Sequence, residues 1–109
     1  MVVSSNAGAL LKQNLHGLRR TVYRAARDYY AARAKYFRAR LASPAGAALL
    51  THREECLVRG QLYRTASELL IAALNTTMEA SDDELPRQQH MLALLDTELR
   101  RMYAEAPSG

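Results

Sequence analysis

His52 and Cys56 stand four residues apart, a spacing that puts an imidazole and a thiol on one face of a helix. Such a pair is half of a metal site, or the thiol and base of a nucleophilic centre. No third ligand or orienting carboxylate follows at helical spacing on that face, and His16 and His90 fall in other segments. The pair therefore reads as a small buried thiol beside a surface histidine. The chain has no Glu-x-x-His of the kind that builds di-iron bundles, no glycine-rich phosphate loop, no serine elbow and no His-Glu-x-x-His. The single Cys rules out an internal disulfide and a cysteine-based zinc site. The reading is non-catalytic, with no cofactor and no metal.

The chemistry that remains is binding. Residues 1–42 carry nine Lys or Arg and one acid, Asp28, for a net +8, and residues 43–109 carry six bases and ten acids, for −4. This split implies either an internal pairing of a basic helix with acidic ones, or a basic face turned toward an acidic partner. The basic face comprises Lys12, Arg19, Arg20, Arg24, Arg27, Arg33, Arg38 and Arg40. Five of the seven aromatics share the same stretch. Tyr23, Tyr30 and Phe37 form a strip at intervals of seven, next to Tyr29 and Tyr36. Rigid rings beside forked donors are the composition of a protein-binding surface. The candidate partner-binding residues are thus Arg20, Tyr23, Arg24, Arg27, Tyr30, Phe37 and Arg38. The same face could bind phosphates and stack bases, so a nucleic-acid or ribosomal RNA partner is the alternative, although no nucleic-acid motif accompanies it.

The elements that must position these residues are helical. Leu11, Leu15, Leu18, Val22, Ala25, Tyr29, Ala32, Tyr36 and Ala39 alternate steps of four and three, the rhythm of a bundle seam. This predicts a first helix over about residues 7–42, capped by Ser5 or Asn6. Ser43-Pro44 breaks it and starts the next, with Ser43 as cap and Pro44 in the first turn. A second helix follows over about 44–79. Leu49, Cys56, Tyr63, Leu70 and Thr77 form its strip, and Leu69–Leu74 is apolar around most of the circumference, as for a segment between two neighbours. Gly60 falls mid-helix and permits a close backbone approach or a slight bend. Ser81 and Glu84 have capping-box spacing, Asp83 is the alternative cap, and a third helix runs over about 84–104 with Leu92, Leu95, Leu99 and Met102 inward. The fold class is all-α: one domain, a three-helix antiparallel bundle with a long hairpin and a shorter third helix. That third helix is too short to cover the hairpin, which leaves apolar surface for an interface.

The acid–base neighbours Glu55–Arg59, Arg64–Glu68, Asp96–Arg100 and Arg101–Glu105 read as solvated pairs along single helices. Leu62-Tyr63-Arg64 resembles the signature tripeptide of the LYR-motif family, small basic three-helix mitochondrial proteins that serve as respiratory-complex subunits or assembly adaptors. In that family the tripeptide lies near the start of the first helix with a Phe downstream. Here it lies in the second helix, and Phe37 is upstream, so the likeness covers three residues and implies no membership.

With 49% hydrophobic residues the chain is too apolar for disorder, yet no run approaches a membrane span. The first 27 residues hold five bases and no acid, the character of a mitochondrial import segment or simply of a basic bundle helix. These features add up to a helical protein–protein interaction module, a small accessory, adaptor or chaperone-like subunit of a larger assembly or a homo-oligomer. Its expected home is intracellular, in the mitochondrial matrix or the cytoplasm.

Overall fold

The computed structural model describes the backbone of residues 3–42, 46–77 and 81–105, and side chains within those ranges from Leu15 onward. It consists of three helices: α1 (Val3–Ala42), α2 (Ala47–Asn75) and α3 (Glu84–Ala104). Together they make a rod of 63 × 20 × 19 Å. α1 and α2 pack as an antiparallel hairpin, and α3 lies along α2 and runs parallel to α1.

The three-four rhythm of α1 is its buried seam. Leu15, Val22, Tyr29, Ala32 and Tyr36 are buried, and Leu18, Ala25 and Ala39 pack partly against them. α2 answers with Leu49, Cys56, Tyr63 and Leu70, and α3 adds Leu95, Leu99 and Met102. Side chains of this size contribute on the order of 1.5–3 kcal/mol each when fully buried. Gly60 is the point where the three helices meet. A Cβ there would lie 2.5 Å from Leu99 Cδ2 and 3.2 Å from Tyr29 Cε1, so the missing side chain lets α1 and α3 close on α2.

The ends differ from expectation in several places. α1 reaches back to Val3, so Ser5 and Asn6 lie inside the helix rather than at its cap. The expected Ser43-Pro44 cap lies outside the described residues. α2 starts later, at Ala47, after Gly46 in an extended conformation at φ −77°, ψ 150°. It also stops earlier, at Asn75. Thr76 folds its hydroxyl onto the Ala73 carbonyl at 2.9 Å while its N–H takes up the same turn, which competes with helix continuation. Asp83 precedes α3, but the capping box does not form. The Ser81 hydroxyl donates to Asp83 at 2.8 Å, and Glu84 turns away to Arg19.

The Leu69–Leu74 stretch is only partly enclosed. Leu70 and Leu74 are buried, whereas Leu69 faces solvent along with Val58 and Leu62. The reason is the triangular arrangement: α1 and α3 occupy two sides of α2, and no fourth helix among the described residues covers its back.

Candidate protein-interaction face

The basic face of α1 divides into two strips with different fates. One strip turns toward α3. Arg19 meets Glu84 at 2.6 and 2.7 Å through two nitrogens, Arg33 meets Glu98 at 2.6 Å, and Arg40 meets Glu105 at 3.2 Å. Every one of these pairs spans 65 residues of sequence. The Arg residues are spaced by 14 and 7, and so are the Glu residues, so two parallel helices present matching charges at whole heptads. Among the described residues no Cα of α1 comes within 8 Å of a Cα of α3. The two helices therefore meet through side chains long enough to cross the gap, and forked Arg–carboxylate pairs suit that task.

Electrostatics follow from these pairs. The hydrogen bonds from Arg19 hold the Glu84 carboxyl below the usual carboxylate range. Burial works to raise the Glu98 carboxyl, but hydrogen bonds from Arg33 and Tyr29 outweigh it and the net direction is down. Tyr29, itself almost fully buried, donates its hydroxyl to Glu98 Oε1, and burial followed by that carboxylate pushes its ionisation far up.

The other strip faces outward. Arg20, Arg24, Arg27 and Arg38 are exposed. Arg27 lies 3.6 Å from Asp28, and Arg38 donates weakly to the Ala34 carbonyl of its own helix at 3.4 Å. Among the described residues neither Arg20 nor Arg24 has a carboxylate within 4.0 Å. Tyr23 stands among them with 70% of its surface in solvent. Together Arg20, Tyr23, Arg24 and Arg27 line one surface depression with His16 and Arg19.

The remaining sequence-derived candidates lie elsewhere. Tyr30 is 51% exposed and leans edge-on to Tyr63 at 6.2 Å, so it belongs to the groove between α1 and α3 rather than to the Tyr23 depression. Phe37 is half-buried against Tyr36 at 5.4 Å, and the Arg33 guanidinium covers its ring at 4.7 Å. Arg33 thus closes the lower end of the aromatic strip with a cation–π contact. Sequence reasoning missed the α3 wall, where Met91, Leu94 and Arg101 border the groove. Leu94 carried a signal, since it falls off the Leu92–Leu95–Leu99–Met102 seam and is 59% exposed.

The other sequence candidates for chemistry lie away from the outward strip of α1. Cys56 is fully buried with its sulfur 3.7 Å from Met102 Sδ, and burial pushes its thiol up to about 11. Among the described residues no group of three or more His, Cys, Asp or Glu is placed to hold a metal. Leu62, Tyr63 and Arg64 are split between solvent, core and an ion pair, with Arg64 Nε 2.9 Å from Asp96 and 3.1 Å from Glu68. Two of the intrahelical pairs read from sequence are redirected between helices: Glu105 goes to Arg40 rather than Arg101, and Arg64 divides between Glu68 and α3. Glu55–Arg59 and Asp96–Arg100 do not close to ion-pair distance.

Among the described residues no helix is long and apolar enough to cross a membrane. No family model, curated protein or solved structure matches this chain.

Proposed function

We propose that this chain is a non-catalytic helical interaction module, an accessory or adaptor subunit that meets a protein partner through the outward Arg/Tyr strip of α1. The supporting observation is Tyr23, a large ring left 70% exposed between Arg20, Arg24 and Arg27. An exposed ring set among guanidinium groups is the residue combination in which binding energy concentrates. Three other arginines of the same helix already hold α3 in place, so the outward ones are not needed for the fold. The acid-free, Arg-bearing N-terminal segment adds a mitochondrial matrix home to this reading.

Quantitative pull-down from native extract tests it, comparing the full chain with Tyr23→Ser and with Arg20→Glu/Arg24→Glu. A defined set of proteins that all variants lose together, at unchanged helicity, is the expected result. Identical recovery with every variant would overturn the assignment.

Nucleic acid is the second reading, favoured by the same unpaired guanidinium groups. Its signature is a fall in affinity with salt, with a log–log slope near −0.9 per neutralised phosphate on duplex DNA. Absence of binding to duplex or single-stranded oligonucleotides at low salt eliminates it.

A further inference from the structure

We infer that the outward strip of α1 is a second helix-docking seam, and that its occupant is one acidic helix of the protein partner. The inference rests on the protein-interaction reading of α1 and adds the shape and chemistry of what binds.

The first support is a pattern. Arg20, Arg24, Arg27, Ala31, Ala34 and Arg38 are all exposed and advance by steps of four and three. They form one stripe along α1, on the side away from its buried Leu15–Val22–Tyr29–Tyr36 seam. The stripe holds four cations and no acid. Asp28, the one acid of α1, stands off its line beside Arg27. Among the described residues Arg20 and Arg24 have no carboxylate within 4.0 Å. A solvated helix face ordinarily mixes the two signs, and this one asks for the missing one from outside.

The second support is a precedent within the molecule. On its inner flank α1 already holds a helix by its arginines, with Arg19, Arg33 and Arg40 reaching Glu84, Glu98 and Glu105 of α3. Those arginines are fourteen and then seven residues apart. The outer stripe repeats both steps, seven from Arg20 to Arg27 and fourteen from Arg24 to Arg38. Whole heptads return a side chain to nearly the same side of a helix, so a second helix with carboxylates at matching steps meets these arginines as α3 meets the inner ones.

Shape favours a helix over a nucleic-acid strand. Ala31 and Ala34 leave the stripe low between Arg27 and Arg38, over about 16 Å of helix. A neighbouring helix can come close there while the arginines at either end hold it. Phosphates recur about every 3.4 Å along one strand of a duplex, so several would cross the same stretch with only Lys35, at its edge, to meet them. Tyr23, 70% exposed at the border of the stripe, offers a ring to an aliphatic side chain of the occupant.

The test measures fluorescence anisotropy of the full chain with labelled designed peptides of about 22 residues, long enough to span Arg20 to Arg38 as a helix. One places Glu at the steps of Arg20, Arg24, Arg27 and Arg38, with a Leu for Tyr23. A second has the same composition with the Glu residues spread around the helix. A third keeps the first spacing but carries two mid-helix prolines. At low salt, where exposed pairs are least screened, the first should bind saturably and at least about tenfold tighter than the other two. Arg20→Glu/Arg24→Glu should weaken it at least about tenfold at unchanged melting temperature. No saturable binding, equal binding of either control peptide, or indifference to the double variant overturns the helical occupant. If the double variant still loses the proteins recovered from extract, the α1 surface keeps its partner and the helical occupant alone fails. If it loses neither peptide nor proteins, both readings fall. Tighter binding of a uridine oligonucleotide than of the first peptide overturns the inference in favour of RNA. Self-association that the double variant abolishes overturns it in favour of a second copy of this chain.

Discussion

The guanidinium of Arg33 reaches Glu98 across the α1–α3 gap at 2.6 Å, and the oxygen it meets is the one that accepts the hydroxyl of buried Tyr29. One carboxylate thus satisfies a core phenol and a half-exposed cation at once. Removing it leaves both unpaired. Glu98→Ala should cost on the order of 2 kcal/mol, Glu98→Gln less because an acceptor remains, and Tyr29→Phe about 1 kcal/mol because Arg33 still holds the carboxylate. Urea denaturation of the three variants gives the order, and a Tyr29→Phe variant less stable than Glu98→Ala would refute it.

Acid should loosen α3 first. Glu84 and Glu98 ionise more readily in the folded chain than in the unfolded one. Such groups stabilise the fold above the unfolded carboxylate value of about 4.3. The contribution is lost as pH falls through the lower folded values. The urea midpoint should therefore drop from about pH 4.5 downward. In Glu84→Gln/Glu98→Gln the acid limb should be flatter. Parallel acid limbs in the two proteins would exclude these carboxylates as the cause.

On the alkaline side the sign is reversed. The Cys56 thiol is raised to about 11 by burial, so its contribution is intact below the unfolded value near 8.5 and declines as pH rises toward the folded one. The same burial keeps the thiolate scarce, so reaction with a disulfide reagent at pH 8 should follow opening of the core. Added urea below the transition should accelerate labelling, and rapid labelling of the native chain would contradict the buried placement.

Gly17 and Gly60 should respond oppositely to alanine. Nothing lies within 4 Å of a Cβ at Gly17, so Gly17→Ala should stabilise by up to about 1 kcal/mol through helix propensity. At Gly60 a Cβ would press on Leu99 Cδ2 at 2.5 Å, and overpacking of about 1–3 kcal/mol exceeds or cancels the same propensity gain. Trimming the obstructing side chain supplies the control. The double variant Gly60→Ala/Leu99→Ala should be more stable than the sum of the two single effects. Additive behaviour would mean that the two side chains do not collide.

The seam of α1 was legible because Leu15, Val22, Tyr29 and Tyr36 recur at whole heptads, and a period is a property of one segment alone. Gly60 was legible only as a point of close approach or of a bend, and the nearness of Leu99 and Tyr29 decides for the first. The fate of Leu69 was not. Its exposure depends on how many helices surround α2, which no single-helix pattern records. The division of the arginines was hidden likewise, because Arg19 and Arg20 differ only in which way α3 lies. One signal did exist: Arg19, Arg33 and Arg40 repeat the spacing of Glu84, Glu98 and Glu105, and that coincidence is visible only when two distant segments are compared.

The shared 65-residue offset makes the attachment of α3 a matter of phase. One residue inserted between Gln88 and Gln89 would turn everything downstream by about 100°. Glu98 and Glu105 would swing off their partners together while Glu84 kept its own. α3 behaves as a toothed rack in which every tooth beyond the insertion disengages together. Seven inserted residues would restore the facing direction but carry Glu98 about 10 Å along the axis, from Arg33 to the position opposite Arg40, so phase alone does not rescue the register.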